Sequence, residues 1–175
     1  MFRTIMLAAL VSAVSAPAFA HATLEVTEAP VGSTYKAVLR VPHGCDGAPT
    51  IAVRIQIPEG VIAVKPMPKP GWTLEKIRGP YARSYDYYGT PMSEGVKEVR
   101  WSGGSLPDDE YDEFVVRGML AGDFKVGDML YFPAIQECPD GKAERWIEIP
   151  AAGNPDQELE MPAPGIRLIE KTGGH

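Results

Sequence analysis

The residue with the most specific chemistry is His21, because of what precedes it. Arg3 supplies a positive start, no charge follows until His21, and Ala18-Phe19-Ala20 is a small-x-small cleavage pattern with Pro17 just ahead of it. Together these features read as a secretory signal peptide over residues 1–20. Cleavage after Ala20 makes His21 the first residue of the processed chain. A terminal histidine offers two nitrogens from one residue, the free α-amine and the ring Nδ1, which close on one metal ion as a chelate. Copper(II) suits that pair, since it accepts a tetragonal set of nitrogen and oxygen donors and stands at the top of the divalent affinity order. The amine, with an ordinary pKa of about 7.7 to 8.0, must lose its proton to bind, so affinity should fall as pH drops. Without processing, His21 is an ordinary histidine, and many secreted chains begin with an arbitrary residue.

Other residues can be weighed for the same chemistry. The run Asp108-Asp109-Glu110-Tyr111-Asp112-Glu113-Phe114 offers several carboxylates, although a solvated acidic turn before a strand explains it equally. Trp72, Trp101 and Trp146 each bury a large apolar surface wherever they fall. His43 lies beside Cys45 and could add a second metal site, but a hydrogen-bonded surface histidine at a turn accounts for it too. Neither His43 nor the final residue, His175, fits a strand-borne ligand position. The methionines are spread too widely for a copper(I) thioether motif, and Met119 and Met129 read as core filler. Cys45 and Cys138 both lie in the exported part, where an oxidising compartment favours a disulfide. Such a bridge closes a loop of roughly 90 residues and stabilises by several kcal/mol in the chain-entropy description. A copper-thiolate pair is the weaker reading, because neither cysteine has a second one at short spacing.

These residues need a scaffold, and the sequence indicates an all-β one. The chain has 175 residues, 45% hydrophobic and 23% charged, which is ordinary globular composition for one domain. Its net charge of −6 argues against nucleic acid or an anionic membrane as partner and is compatible with a divalent cation. No stretch reaches the roughly 18 apolar residues of a membrane helix, so no membrane span is expected in the mature form. Thr50 to Ile57 places Ile51, Val53, Ile55 and Ile57 on one face and Ala52, Arg54 and Gln56 on the other, the period of two of a half-buried strand. Further strands are predicted over 22–27, 35–41, 61–64, 72–77, 82–88, 96–101, 114–120, 129–135 and 145–149. No window carries a helical apolar stripe, and glycine and proline fall mostly between the runs. The expected architecture is an antiparallel immunoglobulin-like or cupredoxin-like β-sandwich over residues 21–152. From residue 153 the pattern loosens, and 153–175 reads as a loosely structured C-terminal tail. The chain shows no nucleotide-binding loop and no nucleophile-with-base arrangement.

The ordered series His21, Thr23-Leu24-Glu25, Val53 to Val61, Lys65-Pro66, Pro70-Gly71-Trp72, Trp101-Ser102-Gly103-Gly104, Asp112-Glu113-Phe114 and Gln136-Glu137-Cys138 resembles the YcnI-like copper-binding proteins. The resemblance runs over essentially the whole chain after residue 20. It implies a secreted copper(II)-binding β-sandwich whose metal sits in a mono-histidine brace: an amino-terminal histidine, a glutamate from a later strand and a nearby tryptophan. The histidine maps to His21. Glu113, acidic before Phe at a strand start, fits the glutamate best, with Glu110 in reserve; an oxygen donor there would lower the charge of a copper(II) site and help fill its equatorial plane. Trp146 fits the tryptophan, where an indole face could shield the ion and limit access to it. Periplasmic or secreted copper trafficking, buffering or homeostasis follows as the expected function, without catalysis and with a copper-acceptor or copper-transport protein as partner. An oxidative copper enzyme is the alternative. A metal-free adhesive or structural sandwich is the third class.

Overall fold

Runs of alternating apolar residues pair into strands, and two layers of them enclose one core. A computed structural model describes residues 21–154 and 157–171; the segment expected to be a signal peptide and His175 lie outside the described residues. The first strands are β1 (Thr23–Leu24), β2 (Glu28–Pro30), β3 (Thr34–Val41), β4 (Thr50–Gln56), β5 (Val61–Pro66) and β6 (Thr73–Tyr87). They are followed by β7 (Thr90–Leu106), β8 (Asp112–Leu120), β9 (Met129–Tyr131), β10 (Ala134–Glu137), β11 (Ala143–Trp146) and β12 (Gly165–Ile169). One sheet has the order β1-β3-β8-β5 and the other β11-β10-β4-β7-β6. A third, β2-β12-β9, includes a parallel pairing between β2 and β12, an exception to the antiparallel pattern.

Leu39, Phe114 and Val116 from the first sheet and Val53, Ile55, Val99 and Trp101 from the second are all buried in one cluster. The Trp101 ring meets Phe114 edge-on at 5.5 Å, and Trp72 meets the same ring at 5.1 Å, so both tryptophans pack the layers together. Each such side chain contributes about 1.5–3 kcal/mol of burial.

Four departures from the sequence-based reading have local causes. A register shift between Thr50 and Ala52 bulges β4, so Ile51 is 37% exposed while Thr50 is fully buried; one extra residue in a strand reverses the facing of what precedes it. The predicted strands at 72–77 and 82–88 merge into β6, where Pro80 is tolerated because β6 is the sheet's edge. The predicted strand 129–135 divides into β9 and β10 in different sheets, interrupted at Pro133, which has no N–H to donate. The tail is not loose throughout. β12 inserts between β2 and β9 and buries Ile166 and Leu168, so burial of that short apolar stripe outweighs the surrounding Pro and Gly. Met129 is 40% exposed and is not core filler, whereas Met119 packs partly buried against Tyr81, Tyr85 and Ile62.

Candidate functional site at one end of the sandwich

β1 is short, but Ala22 and Leu24 are buried in the core and hold the chain against the edge of the first sheet. His21 is thereby carried to the end of the sandwich. There its ring meets Trp146 edge-on, with centroids 5.8 Å apart. Trp146 ends β11 directly across from Ala134, a small partner that leaves room for the indole, and the ring is buried in the core.

Behind the indole lies a saturated polar cluster. The Trp146 indole N–H donates to Oε1 of Gln136 at 3.4 Å. Gln136 is itself 1% exposed, and its Nε2 shares its two hydrogens among three acceptors, the carbonyls of His43 at 2.5 Å and Gly44 at 3.0 Å and the hydroxyl of Thr50 at 2.7 Å. Burying an amide is favourable only when its hydrogen bonds are met, and here both ends of the side chain are engaged. The bulge in β4 is what turns Thr50 inward to take part.

The loop after β3 is closed on itself. The Cys45 and Ala48 backbones exchange hydrogen bonds of 2.8 and 3.1 Å, and Cys45 is disulfide-bonded to Cys138, 93 residues away, the pairing expected of the two cysteines. Gly44 is dictated by space: a Cβ there would collide with the Ala48 carbonyl and come within 2.9 Å of the Asp108 carboxylate. The acidic turn therefore lies directly against this loop.

The structure brings His21 and Trp146 together, and Glu113 engages Tyr111 and Arg40. Glu113 sits across from Arg40 in the β3–β8 ladder, and Arg40 in turn sits across from Thr23 of β1. Its carboxylate accepts a hydrogen bond from the Tyr111 hydroxyl and lies 3.9 Å from the Arg40 guanidinium, which also approaches Glu25 at 3.6 Å. Burial first, and then that carboxylate, push the Tyr111 phenol above its ordinary pKa. Glu110 is exposed, its amide closing a turn onto the Pro107 carbonyl. Asp108 is the member of the acidic run that packs beside Gly44 of the loop. His43 is also placed by this loop. It lies in a bend two residues past the end of β3, its ring Nδ1 2.7 Å from the Gly44 carbonyl oxygen and its own carbonyl held by Gln136, the hydrogen-bonded turn position the sequence indicates. Gln136, Thr50 and Asp108 were not singled out from the sequence; the signal for Gln136 is an amide at an inward position of Ala134-Ile135-Gln136-Glu137, next to a disulfide cysteine.

Among the described residues, no three His, Cys, Asp or Glu side chains converge as a ready metal cage. A terminal chelate needs fewer, since one of its nitrogens belongs to the main chain. Imidazole and amine nitrogens are donors that fit copper(II) and other late first-row ions.

The fold and this closed end define an immunoglobulin-like β-sandwich. The chain is similar to a crystal structure of an uncharacterized protein from Nocardia farcinica described as having an immunoglobulin-like fold, with 26% identity, a TM-score of 0.62, and coverage of 85% of this chain and 98% of that one. It also aligns with a cohesin module from a Clostridium perfringens ATCC13124 family 33 glycoside hydrolase, at 11% identity and a TM-score of 0.49 over 86% of this chain and 97% of that one. No curated protein matches it. The chain belongs to the family described as a domain of unknown function (DUF1775), whose profile matches residues 21–168. That range includes β12, in keeping with its place in the core.

Proposed function

We propose that the protein is an exported copper(II)-binding protein that captures the ion outside the cytoplasm and buffers it or passes it to an acceptor or transport protein, without catalysing a reaction. The observation that carries this reading is the contact between His21 and the buried Trp146 at a rigid end of the sandwich. Removal of residues 1–20 would free the His21 amine beside its own ring. Trp146, fixed by Gln136, would cover one side of the ion and restrict access by water or oxidant. Glu113 is the proposed carboxylate, reached by exchanging Arg40 and Tyr111 for the metal, and Glu110 is its reserve. An oxidative copper enzyme is the second reading, since copper held by an amino-terminal histidine can also activate oxygen species.

Every buried apolar residue of the described core lies between Ala22 and Leu168, so a chain starting at His21 keeps all of that described core. The test is the copper(II) stoichiometry and electron paramagnetic resonance spectrum of the processed protein, its first residue checked by mass. One equivalent with nitrogen hyperfine structure is expected, and a variant with one extra residue before His21 should lose it. Undiminished binding by the extended variant would overturn the terminal chelate, and substrate oxidation with peroxide at enzymatic rates would favour the enzyme.

A further inference from the structure

We infer that Arg40 is the resident counter-cation of Glu113 and that Glu25 takes it over when Glu113 turns to the metal. Arg40 and Glu25 are thus positioning residues that set how readily the proposed site loads. The inference deepens the copper-binding reading and rests on Glu113 as its carboxylate.

Sheet register puts the three side chains together. Thr23 lies across from Arg40, and Arg40 lies across from Glu113, so one row crosses β1, β3 and β8 and begins two residues from His21. Ala22, Leu24, Leu39 and Phe114 fill the core, which turns that row to the opposite face of the sheet. Glu25 follows Thr23 by two residues and belongs to the same face. Its amide donates to the Val38 carbonyl at 3.1 Å, which keeps it in the β1–β3 ladder, diagonal to Arg40.

The contacts within the row are loose enough to exchange. The guanidinium approaches Glu25 at 3.6 Å and Glu113 at 3.9 Å, longer than the about 2.7–2.9 Å of a charge-assisted hydrogen bond. Its enclosed Nε has no hydrogen-bond partner among the described residues. Arg40, Glu25 and Glu113 are 40%, 44% and 41% exposed, so water screens both pairs and neither holds firmly. The carboxylate next door shows the contrast. Asp112 accepts from Lys69 Nζ at 2.6 Å and from the Glu113 amide at 2.8 Å, and is committed to the fold. Glu113 is held only by the weak pair with Arg40 and by the hydroxyl of exposed Tyr111, both of which water can replace.

Charge gives Glu25 its part. Two carboxylates share one guanidinium, which leaves the row with a negative charge in excess and favours the arrival of a cation. If Glu113 alone paired with Arg40, its departure to a dication would leave a guanidinium uncompensated beside that ion. Glu25 already stands within reach, so Arg40 stays paired and its repulsion of the incoming metal is offset.

The test uses the processed protein, starting at His21, titrated with copper(II) sulfate against glycine as a competing chelator. At about 0.15 M salt, exposed charges more than about 8 Å apart are largely screened. Arg40→Gln should bind about fivefold more tightly and Glu25→Gln about threefold more weakly, the scale of an exposed ion pair. With Arg40 already replaced, Glu25→Gln should have no further effect, because Glu25 acts through Arg40. Equal weakening by Glu25→Gln in both backgrounds would mean a direct effect of its charge and would overturn the inference. Unchanged or weaker binding by folded Arg40→Gln would do the same. A crystal structure of the copper-loaded protein needs no variant: the guanidinium is expected on Glu25 and off Glu113. A guanidinium still on Glu113 would overturn the inference while the terminal chelate stands. If the variant with an extra residue before His21 keeps full affinity and the Arg40 and Glu25 effects persist, the terminal chelate fails and the exchange at Glu113 stands.

Discussion

At Leu106, where β7 ends, the two layers close over a buried neutral network, whereas at Thr90, the other end of its seventeen residues, the same strand begins in an exposed hairpin tip. Leu106 pairs with buried Thr50, whose hydroxyl belongs to the Gln136 cluster. At the other end Tyr88 is 76% exposed, and Tyr87 stacks edge-on against it at 4.9 Å. The β6–β7 arm is steadied by a small satellite core of Ile62, Tyr81, Tyr85 and Ala121, and by Glu59. That carboxylate accepts hydrogen bonds from Lys97 Nζ at 2.6 Å, the Tyr85 hydroxyl at 2.9 Å and the Ala82 amide at 2.9 Å. Partners at the exposed end can be replaced by water at little cost. At the closed end water is excluded, so every lost partner leaves a stranded polar group. That difference is why the closed end, and not the hairpin, can hold ligands to fixed positions.

The sharpest way to break the contrast is to open the clamp. Replacing Cys45 and Cys138 together by alanine should lower stability by about 3–5 kcal/mol in urea melts, given the long loop the bridge closes. Gln136→Ala should follow at about 2–4 kcal/mol, from the stranded indole N–H and carbonyls together with the space vacated. Glu59→Gln, on the hairpin side, should cost about 0.5–1 kcal/mol, and it has a distinct signature. Burial alone would raise the Glu59 pKa, but hydrogen bonds from Lys97, Tyr85 and the Ala82 amide outweigh it and hold the carboxyl below the ordinary glutamate range. A lowered folded pKa contributes stability that is present above the unfolded value and is lost as pH falls through the folded one. Acid melts of wild type should show that loss, and those of Glu59→Gln should lack it. Tyr88→Ala at the tip should change stability by no more than about 0.5 kcal/mol. Equal costs for Gln136→Ala and Tyr88→Ala would erase the distinction between the two ends.

Much of this was legible in the sequence. The alternation of Val53, Ile55 and Ile57 follows from period, and the Cys45–Cys138 pairing from a count of two cysteines. What escaped has a physical reason in each case. The bulge at Thr50 is a one-residue slip that leaves no trace in a pattern of alternating letters. Pro80 punctuates a strand only where its missing N–H would have had a partner, and on an edge it does not. The Gln136 network joins residues more than 80 positions apart, so each member looks like an unremarkable polar residue until the strands meet. Glu113 was placed by its neighbours in the chain, but its carboxylate is turned toward Arg40 and Tyr111, partners that only sheet register reveals.

The most direct test of the metal lying at the His21–Trp146 end is a fluorescence titration of the processed protein with copper(II). Quenching that saturates at one equivalent is expected, most of it abolished in Trp146→Phe and preserved in Trp72→Phe. Full quenching in folded Trp146→Phe, or its loss in Trp72→Phe alone, would place the ion elsewhere and contradict the proposed site.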